Sequence, residues 1–240
     1  MLAISCAAED GRQEDGPPGW VAGLGYFVAP DPFVGDVERQ DQVFPLVGYI
    51  GERLTWLGPS LSYRLIDRDD FSLSVELDLR FEGFDSDSES AALDGLIDRD
   101  SALEAGLEMT YGPFSLVAKT DVSSTHGGTA ASLGFGDDWS LTDQLGFSVQ
   151  ADILFRDGDL SDYYFGVSPG EARSFRPAFE VDETLGYQLS ADLAWRISDR
   201  ALAFVGANYE VLDDDISSSP IVNQSRQLSW QAGFIVEVFR

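Results

Sequence analysis

Hydrophobic and polar residues alternate with a period of two along most of this chain. In the last stretch, Leu228 to Phe239, Leu228, Trp230, Ala232, Phe234, Val236 and Val238 fall on one side of an extended strand. Ser229, Gln231, Gly233, Ile235 and Glu237 fall on the other, and Ile235 is the one large apolar residue there. The clearest span is Phe71 to Glu82, where Phe71, Leu73, Val75, Leu77, Leu79 and Phe81 oppose Ser72, Ser74, Glu76, Asp78, Arg80 and Glu82. At about 3.3 Å per residue this span reaches about 40 Å, enough for a tilted bilayer crossing.

The same period predicts strands over Trp20 to Val28, Val43 to Ile50, Leu103 to Tyr111, Phe114 to Asp121 and Thr129 to Gly136. It predicts further strands over Leu145 to Arg156, Leu185 to Arg196 and Arg200 to Val211. Arg53 to Leu65 reads either as one strand or as two, Arg53 to Leu57 and Leu61 to Leu65, interrupted at Gly58-Pro59-Ser60 because proline has no ladder donor. Short connections are expected near Gly51, Asp67 to Asp70, Gly112-Pro113, Asp137 to Asp143 and Ser198-Asp199. Long ones are expected at Ala29 to Gln40, Gly83 to Ser101, Asp157 to Thr184 and Leu212 to Gln227. Short turns on one side and long loops on the other are the habit of bacterial outer-membrane barrels. With both termini on the short-turn side, that alternation requires Arg53 to Leu65 to cross twice or not at all, giving twelve strands, or ten.

Strands of this length exceed those usual in a soluble sandwich. Their second face also carries too many charges for a dry core: Glu76, Asp78, Arg80, Glu104, Glu108, Asp152, Asp192 and Arg196. Burying such charges without partners costs several kcal/mol each. The expected architecture is therefore all-β, a transmembrane antiparallel up-and-down β-barrel with these residues in a wet or ion-paired lumen. Closure is compulsory, because lipid offers nothing to unpaired N–H and C=O groups. Trp20, Tyr111, Trp195 and Tyr209 at strand ends match an interfacial aromatic girdle.

Composition narrows the functional classes. No run of about 18 apolar residues exists, so no transmembrane helix is expected. Fifteen basic against 42 acidic residues give a net charge of -27, which repels nucleic acid and favours cations. The single cysteine, Cys6, excludes an intrachain disulfide and a cysteine-built metal site. Residues 1–18 read as a residual signal or leader with a flexible N-terminus, and 19–240 as one barrel domain.

Tyr164-Phe165-Gly166-Val167-Ser168-Pro169 followed by Glu171-Ala172, Ser219-Pro220-Ile221-Val222, and His126-Gly127-Gly128 resemble the MipA/OmpV family of Gram-negative outer-membrane proteins. Pro45-Leu46-Val47 and Leu61-Ser62-Tyr63-Arg64-Leu65 add weaker likeness. Gln231, Gly233, Val236, Val238 and Phe239 resemble the C-terminal signal read by the barrel assembly machinery, with Arg240 one residue past the terminal aromatic. The resemblance implies an outer-membrane structural or scaffold protein, tethering a peptidoglycan lytic transglycosylase to a murein synthase, among outer-membrane lipid and lipopolysaccharide. It implies no cofactor and no enzyme activity. The alternative is a narrow cation-favouring porin or an adhesion-related barrel.

Four smaller features carry candidate chemistry or contacts. His126, the only histidine, lies near Asp121, Ser123 and Ser124, residue types that could compose a hydrolase triad, but closeness in sequence does not make that geometry, and a turn whose two glycines accommodate backbone bends is expected instead. Asp85-Ser86-Asp87-Ser88-Glu89 offers oxygen donors for a divalent cation but lacks the EF-hand pattern, so a solvated loop is expected and no metal site is assigned. The YFGVSP and SPIV segments are candidates for a folded lid or partner contact. Arg80 with Glu76 or Asp78, and Arg196 with Asp192, are candidate lumen pairs along one strand or across strands.

Overall fold

A computed structural model describes residues 6–7, 13–14, 19–30, 32–34, 40–84 and 92–239. The acidic run Asp85 to Glu89 and most of the leader lie outside them. Twelve antiparallel strands close into a barrel. In chain order they are β1 (Gly19–Ala29), β2 (Gln40–Ile50), β3 (Leu54–Leu57), β4 (Ser60–Arg68), β5 (Phe71–Arg80) and β6 (Ala102–Tyr111). Then come β7 (Phe114–Asp121), β8 (Thr129–Thr142), β9 (Leu145–Arg156), β10 (Thr184–Ser198), β11 (Ala201–Val211) and β12 (Arg226–Phe239). Each pairs with its sequence neighbours, and β12 closes on β1. A two-residue ladder, Cys6–Ala7 with Gln13–Glu14, lies alongside β8, β9 and β10.

Arg53 to Leu65 enters the wall as two strands, and the count is twelve. Several boundaries differ from the sequence reading: β2 begins at Gln40, before Val43, and β4 runs past Leu65 to Arg68. β8 runs past Gly136 to Thr142, with Asp137 paired to Val149 and Trp139 to Phe147, so the turn is confined to 143–144. Phe71 to Glu82 leaves the ladder after Arg80. All the connections at the β2–β3 end are tight, whereas the other end carries 30–39, 81–101, 157–183 and 212–225.

The outward rows are mostly apolar. Leu107, Leu133, Phe135, Leu189, Trp230 and Phe234 are all exposed, a contiguous belt far larger than a soluble monomer presents. Trp20 meets Tyr49 and Trp56 edge-on at 5.6 and 6.1 Å, one sector of the aromatic girdle. Among the described residues no helix is long and apolar enough to span a bilayer.

The lumen is not uniformly polar, which corrects the expectation of one greasy and one polar face. In its short-turn half, Val21, Leu46, Ile50, Ala194, Leu202, Phe204 and Ile235 form a buried cluster with Phe44 and Leu57 against it. Ile235, the outlier in the last strand, is fully buried here. The inward glycines make this packing possible: a Cβ on Gly25 would occupy the place of the Phe44 ring, and one on Gly233 that of the Phe204 ring. They accommodate aromatic rings rather than merely easing curvature.

Gly23 sits on the closing seam, opposite Ile235, and a Cβ there would collide with the Phe234 carbonyl oxygen. The obstacle is backbone and cannot rotate away. Replacing Gly23 by Val is expected to prevent β1 from closing on β12. The check is refolding into detergent, where the wild type gives the heat-modifiable, fast-migrating band of a closed barrel and the variant does not.

Candidate functional site

The long loops end the barrel in a folded dome. Its core is Phe33, Phe84, Leu93, Leu96, Leu160, Tyr164, Phe165, Val167, Val181, Leu212, Ile216, Ile221 and Val222. Helix α1 (Gly158–Phe165) starts where Asp157 accepts from Leu160 N at 3.0 Å, and the same carboxylate accepts from Thr129 N at 2.7 Å. One aspartate therefore caps the helix and fixes it to the top of β8. Leu160, Ser161, Tyr164 and Phe165 turn inward on one helical face.

The family-like segments meet in this dome. The Ser219 hydroxyl donates to the Phe165 carbonyl at 2.6 Å, and Ile221 and Val222 pack in the core with Tyr164, Phe165 and Val167. Gly166 is glycine because a Cβ would strike the Asp162 carbonyl and carboxylate. Val34 N donates to the Ile221 carbonyl at 2.8 Å and Asn223 N to the Pro32 carbonyl at 2.8 Å, tying 30–39 to 212–225. Ser168 donates from its N–H and hydroxyl to Glu171, while Pro169 is exposed.

Loop 81–101 joins through Glu171 of the family-like run and through two arginines that sequence reading did not single out. Glu171 accepts from Ile97 N at 2.8 Å and pairs with Arg99 at 3.2 Å. Arg176, almost fully buried, donates to the carbonyls of Ala92, Asp94 and Glu171. Burial works against the Glu171 charge, yet the Ile97 and Ser168 N–H groups, the Ser168 hydroxyl and Arg99 hold its carboxyl below the usual 4.5. Burial likewise pushes the Tyr164 phenol up; its hydroxyl donates to the Asp100 carbonyl at 3.1 Å.

Between dome and apolar cluster lies a belt of ion pairs. Arg80 holds Glu104 with two N–H groups, at 2.8 and 3.1 Å, and Glu82 at 2.9 Å. Arg156 reaches Glu82 at 3.2 Å and Glu210 at 2.9 Å. Lys119 lies 2.8 Å from Glu76 and 2.7 Å from Asp78. So Arg80 does not pair with Glu76 or Asp78; Lys119, two strands away from them, does. Asp152 accepts from Gln150 at 2.8 Å and Asp192 from Gln231 at 3.0 Å, while Glu108 and Arg196 face inward on β6 and β10. Of the assembly-signal residues, Gly233 borders Phe204, and Val236, Val238 and Phe239 are exposed.

His126 joins belt to dome. Its Nδ1 accepts from Gly128 N at 3.0 Å, which leaves the neutral ring's proton on Nε2, 3.3 Å from Glu104. The ring is enclosed by Tyr163 and Tyr164. Asp121 instead accepts from the N–H groups of Ser123, His126 and Gly127 and from the Ser123 hydroxyl. No serine reaches the imidazole and no carboxylate orients Nδ1, so these residues build a turn and not a nucleophile–base pair. Among the described residues no cluster of His, Cys, Asp and Glu can hold a metal.

Closed strands, an apolar lipid-facing belt, tight turns at one end and a domed mouth at the other define an outer-membrane β-barrel protein. This chain belongs to the family described as MltA-interacting protein MipA, whose profile matches residues 22–237. Outer membrane protein Omp26La of Vibrio anguillarum is 27% identical over 224 residues, spanning 90% of this chain and 85% of the relative. Outer membrane protein OmpV of Vibrio cholerae is 26% identical over the same shares. Among solved structures the NanC porin superposes with a TM-score of 0.45 at 8% identity, covering 90% of this chain and all of that one.

Two outcomes follow. Lys119→Met, which strands Glu76 and Asp78, is expected to destabilise the barrel by about 3–5 kcal/mol, and adding Glu76→Gln and Asp78→Asn to recover most of it; urea unfolding in lipid vesicles reads both. Folding lowers the Glu171 pKa, so its contribution is present above about 4.5 and is lost as pH falls through the depressed value. Amide exchange should show 157–183 losing protection on acidification while the strands keep theirs, and Glu171→Gln losing it already at pH 7.

Proposed function

We propose that this protein is a closed structural barrel of the Gram-negative outer membrane that serves as a scaffold for partners rather than as a conduit. The layered filling of the cylinder carries this reading: a self-packed dome, then the ion-pair belt, then the apolar cluster around Phe204 and Ile235. Each layer ties together strands from different sectors of the wall, so the barrel is cross-braced from within.

The family's description, interaction with MltA, supports a peptidoglycan lytic transglycosylase as one partner, with a murein synthase as the other arm of the tether. Such partners meet the short-turn face, where the chain offers its tight turns. The rival reading, a narrow cation-favouring pore, draws on the inward polar rows of β6 to β9, including Glu108, Ser115 and Gln150.

Planar-bilayer recording separates the two. The purified wild type is expected to give no discrete conductance steps, whereas Phe204→Gly with Ile235→Gly, which empties the apolar layer, is expected to give them. Reproducible cation-selective steps from the wild type would overturn the closed reading. Crosslinking in cells is expected to recover a peptidoglycan enzyme, and its reproducible absence would count against the scaffold.

A further inference from the structure

The barrel wall has a missing sector. β3 has 4 residues, and it pairs with β2 only at Gly48, Tyr49 and Ile50. Its partner β4 begins at Ser60, opposite Leu57 and Asp78. Above this hairpin, among the described residues, β2 continues from Val47 to Gln40 with β1 on one side and no strand on the other, and no ladder joins it to β5. On one side only Leu79 and Arg80 of β5 stand above its ladder with β4, but along β2, at about 3.3 Å per residue and a tilt of about 40°, the gap descends roughly 15 Å from the domed end. That is about half of a hydrocarbon band of roughly 25 Å. The floor of the gap therefore slopes from near mid-bilayer beside β2 up toward the rim beside β5.

The residues around the gap suit that depth. Gly58 N donates to the Val47 carbonyl and Gly51 N to that of Leu54, so Val47 and Gly51 turn their backbone groups toward β3. By the two-residue period Val43 and Pro45 face the same way, into the gap. Pro45 has no N–H to leave stranded there. The hairpin tip, Leu57-Gly58-Pro59, carries no charge, unlike the turns at 69–70, 143–144 and 199–200. Its Gly58 carbonyl is satisfied by the Trp56 indole N–H at 2.9 Å, a partner from the protein where water is absent. Outside, Val43, Val47 and Leu79 continue the lipid-facing belt; inside, Phe44 and Leu57 lean on the buried luminal cluster.

We propose that this gap is a lateral seat for the hydrocarbon chain of an outer-leaflet lipid, which passes between β2 and β5 and reaches Phe44 and Leu57. The outer leaflet is the source because the wall is complete below the hairpin. Continuity with the lipid-facing belt argues for a lipid chain. Pro45 argues against a strand added by a second protein, since strand addition needs donors at alternate positions and the middle one is missing. The seat is independent of whether the lumen conducts.

The test places a bimane fluorophore on Phe44→Cys in a Cys6→Ala background, in phosphatidylcholine vesicles whose acyl chains carry bromine. The outward Leu133→Cys and the inward Gln150→Cys serve as the two limits, and heat-modifiable migration confirms that each variant is folded. Quenching at position 44 near that of Leu133→Cys is the expected result. Quenching no greater than at Gln150→Cys overturns the proposal. Lengthening the β3–β4 hairpin by two residues on each strand is expected to halve the quenching at position 44 or better, and unchanged quenching would overturn the route through the gap. Efficient Val43→Cys disulfide dimers in the membrane would overturn it too, in favour of a second copy at the β2 edge.

Discussion

Inside hydrocarbon every backbone N–H and C=O needs a partner from the protein itself, and this requirement shapes the chain at three scales. It compels closure of β12 on β1, with Gly23 allowing the backbones to approach. It sends the charged turns to one end, where water can solvate them. It also explains the one hairpin that turns at mid-depth: β3–β4 is tolerable because Trp56 supplies the donor its turn lacks and because Pro45, on the adjoining free edge, has none to satisfy.

The interior solves a second problem. A lumen crossed by acidic strands would repel itself, and the net charge of -27 leaves few cations to spare. Arg80, Lys119 and Arg156 are each shared between two carboxylates, so three cations bind Glu76, Asp78, Glu82, Glu104 and Glu210. The remaining acids lie largely on turns and loops, where water screens them. Below the belt the barrel switches to apolar filling, which needs no partners and tolerates the larger rings because facing positions are glycine.

Much of this was legible in the sequence, because a strand between lipid and lumen must alternate. The parity of short and long connections even excluded a single crossing by Arg53 to Leu65, leaving twelve strands or ten. What the pattern could not show is anything that depends on register. Arg80 and Glu104 meet because Arg80 pairs with Ala102, and Lys119 reaches Glu76 because Gly106, between them, has no side chain. The luminal cluster was hidden for a related reason: Phe44, Leu46 and Leu202 occupy inward positions among glycines, where period alone does not distinguish a filled barrel from a wet one. In the dome, the YFGVSP and SPIV segments stood out as likenesses, but Arg99 and Arg176 resembled any loop arginine until burial and carbonyl partners distinguished them.

The dome and the missing wall sector bear on each other. Loops usually rest on the strands beneath them, but here β3 stops near mid-depth and β4 two residues short of the end of β5, so among the described residues the mouth lacks strand support beside the upper part of β2. The loops compensate by bonding to one another. Glu171 collects donors from Ile97, Ser168 and Arg99, Arg176 gathers three carbonyls from two loops, and Asp157 anchors α1 to β8 on the far side of the barrel from the gap. Buried irregular backbone must be satisfied by side chains when no ladder is available. A dome braced in this way can span an incomplete rim, and a rim left incomplete can keep an apolar entrance at its side while the top stays shut.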